Sequence, residues 1–352
     1  MARKLAIFIF AFVSLATAFA GEVRSGYKVL APISHGNLTI FPVIASSTHD
    51  TSEFLTLDEG LRSGDVIVTE AGRVQPLARR GGRPIPVGGG EVNRLVLVNN
   101  SNRPLLLLAG EIVTGGKQDR VIGKDRIVPA HSDPIDMSVF CVEPGRWTEV
   151  SSNFKGMSSQ MAQPSVRGKA MADKNQQAVW DSVRTAQAGV AGGASAPVAA
   201  EVRGTSSYAR VMDNSEVKQR VDEIAAPVQR DYQGLIRELR ARNAVGVVAA
   251  VNGRIIWADV FASTPLLEKY WPKLVRSYAA EAYIVRTSSF AKPDTRAAQD
   301  FLDNLEGRRQ VSEVEPGVFR QTEISGDGFK VFELTSLLPK TGFDLHLAKA
   351  AE

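Results

Sequence analysis

The residues best suited to chemistry fall in one stretch of the chain. They are Gly110-Glu111, then Gly116-Lys117-Gln118-Asp119-Arg120, then Cys141-Val142-Glu143-Pro144-Gly145-Arg146-Trp147. Glu111 follows the leucines Leu105 to Leu108, a costly place for a carboxylate unless it is paired. Cys141 and Glu143 stand two apart on a predicted strand, so their side chains share a face. Lys117, Arg120 and Arg146 are the neighbouring cations. They either pair with Glu111 and Glu143 in a buried network or hold an anionic ligand. In the second case Gln118 orients the ligand, Trp147 joins the binding set, and Glu111 or Glu143 serves as general acid or base.

Other chemistries fit less well. Gly110 to Lys117 imitates a phosphate-binding loop, but Gln118 replaces the required Ser or Thr, and no helix follows to present its N-terminus. A nucleophilic Cys141 needs a histidine partner, and His35, His49, His131 and His346 are scattered, so a buried thiol is the simpler reading. His131, Asp133 and Asp136 are interrupted by Pro134, and a metal site or cofactor is not expected. Asp259 reads as a strand-end residue, and Trp257, Trp271 and Tyr278 as core.

The block from Gly110 to Trp147 resembles the signature of a bacterial domain family of uncharacterised function, named for its association with ADP-ribosylglycohydrolases and rhodanese-phosphatase proteins. That signature runs Gly-Glu-Glu, Gly-Ala-Lys-Gln-Asn-Arg, Val-Pro and Cys-Val-Glu-x-Gly-Arg-Trp. This chain keeps Gly110-Glu111, Lys117-Gln118, Arg120, Val128-Pro129, Cys141-Val142-Glu143 and Gly145-Arg146-Trp147. It departs with Ile112, Gly116 and Asp119. Val179-Trp180-Asp181 and the stretch from Asn252 to Leu274 extend the resemblance more loosely. The resemblance implies a link, by association alone, to ADP-ribose or NAD-derived metabolites.

The elements that must position these residues are strands before Trp147 and a mixture afterwards. The expected fold is α+β: an N-terminal β-rich sandwich or barrel-like domain over 21–150, then a mixed α/β lobe with an antiparallel sheet over 211–352. Between them, 151–210 is rich in Ser, Ala, Gly and Gln and reads as a linker holding one short helix around Val179-Trp180. Gly81 to Gly90 reads as a loop, with Arg73, Arg79, Arg80 and Arg83 nearby. In the second lobe Asp213 and Glu216 suggest a capping box, Asn252-Gly253 a type I′ hairpin, and Ser263 or Thr264 a helix cap before Pro265.

Residues 1–20 have the parts of a secretory signal: Arg3-Lys4, an apolar run from Leu5 to Leu15, and Ala18-Phe19-Ala20 before Gly21. The expected product is exported, periplasmic or extracellular, with no membrane insertion after cleavage. Removing Arg3 and Lys4 lowers the formal charge from +4 to +2, which does not suggest nucleic-acid binding. Two functions remain: a protein that binds or processes an anionic nucleotide- or sugar-phosphate-like molecule, and a non-catalytic cell-envelope protein whose motif is a buried ion-pair network.

Overall fold

The computed structural model describes residues 26–71, 94–146, 148–239, 242–285 and 294–352. The signal-like segment, the Gly81 to Gly90 loop with its arginines, and Trp147 lie outside the described residues. The chain is α+β with a β-rich N-terminal part.

Three strands come first: β1 (Tyr27–Val29), β2 (Ile33–His35) and β3 (Leu38–Ala45), with β2 and β3 joined through Gly36 at φ 58°. Then β4 (Leu55–Thr56) runs into α1 (Leu57–Ser63). The Thr56 hydroxyl accepts from Glu59 N and the Glu59 carboxylate from Thr56 N, a capping box, while Gly64 at φ 78° ends the helix. Strands β5 (Val66–Glu70), β6 (Arg94–Asn99), β7 (Leu105–Leu107), β8 (Ile112–Thr114), β9 (Arg120–Ile122), β10 (Arg126–Val128), β11 (Ile135–Cys141) and β12 (Lys155–Gly156) follow. They form a six-stranded sheet ordered β12-β8-β9-β11-β6-β5 and a three-stranded sheet ordered β10-β7-β4.

The segment expected to be a linker is instead mostly helical. It carries α2 (Pro164–Gly168), a π-helical turn (Lys169–Asp173), α3 (Gln176–Gly193), α4 (Ala196–Gly204) and α5 (Tyr208–Asp213). Val179, Val183, Ala186 and Val190 of α3 recur at helical spacing and are buried in the main core. Small residues serve close packing here: a Cβ on Gly189 would lie 2.8 Å from Ile284 Cβ. Next comes α6 (Ser215–Leu239), which continues through Pro227. Its first turn is capped by Asn214, whose Oδ1 accepts from Glu216 N and Val217 N, and Glu216 turns away to Ser195. The Asp213 box therefore does not form.

The remaining elements are β13 (Ala244–Val251), β14 (Arg254–Phe261), α7 (Thr264–Ile284), α8 (Thr295–Asp303), β15 (Arg308–Glu315), β16 (Phe319–Gly326), β17 (Phe329–Ser336) and β18 (Asp344–Ala351). Asn252 and Gly253 have φ 52° and 74°, as the type I′ hairpin demands, and Ser263 caps α7. These strands join β1–β3 in one nine-stranded antiparallel sheet, ordered β1-β3-β13-β14-β18-β17-β16-β15 with β2 against β3. Every residue of β13 is buried, because helix residues cover one face and α8 with its neighbours the other. The sheet thus draws strands from both ends of the sequence.

Candidate functional site

The first signature pair sits in the turn between β7 and β8. Gly110 has φ 92°, and a Cβ there would come within 2.7 Å of Arg167 Cδ. Glu111 is wholly buried; its Oε2 accepts from Leu108 N at 2.9 Å, and its Oε1 lies 2.8 Å from Lys273 Nζ on α7. The same ammonium is 2.9 Å from Asp58 Oδ2 on α1. Burial favours neutral Lys273, but the Glu111 and Asp58 carboxylates override it and hold the ammonium above its ordinary value.

The second and third signature pieces meet at a separate corner, between β8–β9 and the end of β11. Gln118, Asp119, Arg120, Cys141, Glu143 and Arg146 gather there, while Glu111 stands apart on Lys273. Glu143 Oε2 accepts from Asp119 N at 3.1 Å and lies 2.6 Å from Arg146 Nη2. Arg146 Nη1 donates to Gly116 O at 3.0 Å and to Thr148 O at 2.8 Å, so both ends of its guanidinium clamp the loop. Gln118 Nε2 donates to Glu143 O at 3.0 Å. Asp119 accepts from Gly115 N and the Ser207 hydroxyl; burial, reinforced by the Glu143 charge, pushes its carboxyl above the usual range.

β11 ends at Cys141, and the chain turns so that Glu143 N donates to Cys141 Sγ at 3.3 Å. Across the ladder from Cys141 is Arg120, fully buried, with Nη1 reaching Asp119 O at 3.4 Å and with Nε and Nη2 lacking hydrogen-bond partners among the described residues. Burial pushes the Cys141 thiol up and the Arg120 guanidinium down. Half-buried Lys117 is held through its backbone, whose N–H donates to Glu70 Oε1 at 2.8 Å. Gly116 stands where the family pattern has alanine: a Cβ would meet Phe154 Cζ at 2.2 Å.

An open cleft of about 500 Å³ lies on the other side of the Asn153–Gly156 segment that this loop supports. Asp58 and Arg62 of α1 face it, with Phe154, Lys155 and Gly156 opposite and Val66 and Val68 beneath. Arg62 and Lys155 are exposed, and neither side chain makes an ion pair or hydrogen bond among the described residues. Asp58, Arg62, Lys155 and Lys273 were not legible as site residues. One signal existed: Lys273 follows Tyr270 and precedes Leu274 on the apolar face of α7, where a lysine needs a buried partner.

A third polar cluster lies deeper. Asp259, expected at a strand end, is inside β14 and fully buried. Its carboxylate is 2.8 Å from Arg167 Nη2 and 3.1 Å from His346 Nε2, and it accepts from the Tyr278 hydroxyl. His346 Nδ1 lies 2.6 Å from Asp125 Oδ2.

The model of one family, described as the ARG and Rhodanese-Phosphatase-superfamily-associated Protein domain, matches residues 26–347. The chain belongs to that family. The matched range takes in the signature corner, the cleft and the Asp259 cluster. No curated protein and no solved structure matches the chain.

Proposed function

We propose that this family member binds an anionic, sugar-phosphate- or nucleotide-like small molecule in the cleft between α1 and β12. The observation that carries the reading is the pair Arg62 and Lys155, exposed cations on one cleft whose side chains have no partner among the described residues. Such side chains meet a phosphate at little cost, because no existing pair must break. The anion-holding role expected of Lys117, Arg120 and Arg146 passes to these two residues. Gln118, Glu143 and Arg146 instead brace the loop behind the cleft, and Glu111 positions Lys273; Trp147, the remaining member of the expected set, lies outside the described residues. The pairing of buried Glu143 with half-buried Arg146 favours the rival reading, a structural ion-pair network, for the motif itself but not for the cleft.

The test is thermal denaturation with inorganic phosphate, ribose 5-phosphate and ADP-ribose; family association places ADP-ribose among the first compounds to try. A ligand that binds only the native state raises the melting temperature, by an amount that grows with concentration. The wild type should show this rise and the Arg62→Ala/Lys155→Ala double variant should lose it, with its unliganded melting temperature unchanged. An equal rise in both proteins, or none in either, overturns the reading. We also propose export after cleavage before Gly21. Intact-mass measurement of material secreted by an expressing cell checks this, and retention of residues 1–20 would refute it.

A further inference from the structure

The cleft contains one carboxylate whose two oxygens have different surroundings. Asp58 Oδ2 is fixed 2.9 Å from Lys273 Nζ, and that ammonium is fixed in turn by wholly buried Glu111 at 2.8 Å. Asp58 Oδ1 lies beside Gly156 at the cleft wall, where an added Cβ would come to 3.0 Å from it. A side chain at 156 would crowd this oxygen; glycine leaves it open. Asp58 and Arg62 are four residues apart on α1, hence on one helical face about one turn apart. The spacing suits an ion pair, yet none forms, because Asp58 is committed to Lys273. Acceptor and cation therefore stand side by side, both available to one ligand.

Resting on the cleft as the binding site, we infer that Asp58 Oδ1 accepts a hydroxyl hydrogen from the ligand while Arg62 and Lys155 take its phosphate. The cleft then selects a hydroxyl-bearing phosphate, such as a pentose phosphate unit, over phosphate alone. A ligand ammonium fits less well than a hydroxyl, since Arg62 and Lys155 would repel it and Lys273 already faces Asp58. Lys273 and Glu111 are positioning residues in this arrangement. They hold the carboxylate in one rotamer, so little side-chain freedom is lost when the ligand arrives.

The experiment compares dissociation constants for inorganic phosphate and ribose 5-phosphate on the full protein by calorimetry. The wild type should prefer ribose 5-phosphate by on the order of tenfold, the size expected of one charge-assisted hydrogen bond. Asp58→Asn can keep its oxygen on Lys273 and turn its amide to the cleft. It should lose the preference while retaining phosphate affinity. Gly156→Ala should do the same by crowding Oδ1, and being at the cleft wall it offers a second variant if the first unfolds. If phosphate binds the wild type and ribose 5-phosphate binds no better, this inference falls while the cleft reading stands. If Asp58→Asn weakens both ligands equally, the carboxylate is structural and the inference is overturned. If neither compound binds, both readings fall.

Discussion

At Asp259 a strand residue meets side chains from three other elements. Arg167 comes from α2, Tyr278 from α7 and His346 from β18, with Asp125 completing the chain beyond the imidazole. Burial alone would raise the Asp259 carboxyl, but Arg167 and then His346 hold it well below the usual range. His346, which burial would lower, is raised by Asp125 and Asp259. Both charges are needed: replacing Asp259 by Asn leaves Arg167 in the interior without its counter-charge. The expected cost is about 3–5 kcal/mol, measured as a lower urea midpoint at an unchanged slope. The pH dependence follows from the raised His346 value. Its stabilising contribution is complete below the unfolded histidine value of about 6.5 and disappears as pH rises through the folded value. The wild type should therefore lose stability across that window, as pH rises above the unfolded value, relative to His346→Gln. Parallel pH profiles for the two proteins would rule the imidazole out as the cause.

At the scale of elements, Arg146 ties the β8–β9 loop to the chain after β11. Its guanidinium touches Glu143, Asp119 and three backbone carbonyls, and it is about one-fifth exposed, so solvent screens part of the interaction. Arg146→Met should cost about 1.5–3 kcal/mol, the worth of a hydrogen bond to a charged group. Adding Glu143→Gln should recover part of this, because the stranded carboxylate goes too. Denaturation of the singles and the double measures the coupling; strictly additive losses would mean that the pair does not act as a unit. Gly116→Ala tests the same loop sterically. With φ 50° and Phe154 in the space a methyl would fill, it should destabilise. A companion Phe154→Leu should relieve the clash.

Across the whole molecule, β18 lies between β14 and β17 near the middle of the large sheet, and β3 pairs with β13 along Leu38 to Ile44. Removing either end of the chain would open a long, apolar edge. A fragment of residues 211–352 should therefore lack a cooperative thermal transition. A sharp melt from that fragment would show that the C-terminal part folds without β1–β3. Cys141 is the sole cysteine and is buried, so no covalent link supports the fold. It should react with a thiol reagent in urea but not in buffer, and a reducing agent should leave the melting temperature unchanged. Rapid native labelling would contradict the burial.

Local order was written into the sequence. Asn252-Gly253 required positive φ at both positions, and Ser263-Thr264-Pro265 opened a helix, so these elements form where neighbours in the chain dictate. The signature types identified the family and drew Gln118, Asp119, Arg120, Glu143 and Arg146 to one corner. Tertiary structure decided what lies between distant residues. Glu111 found Lys273 162 positions away, Asp259 found Arg167 92 positions away, and β3 found β13, because a buried charge or a bare strand edge takes whichever partner the packing supplies. Composition misread residues 151–210 for a related reason. Alanine and glycine suit a flexible linker in isolation and a closely packed helix in company, and only the presence of α7 against α3 distinguishes the two. The cleft is the same kind of fact: Asp58, Arg62 and Lys155 belong to one surface only after α1 and β12 are brought face to face.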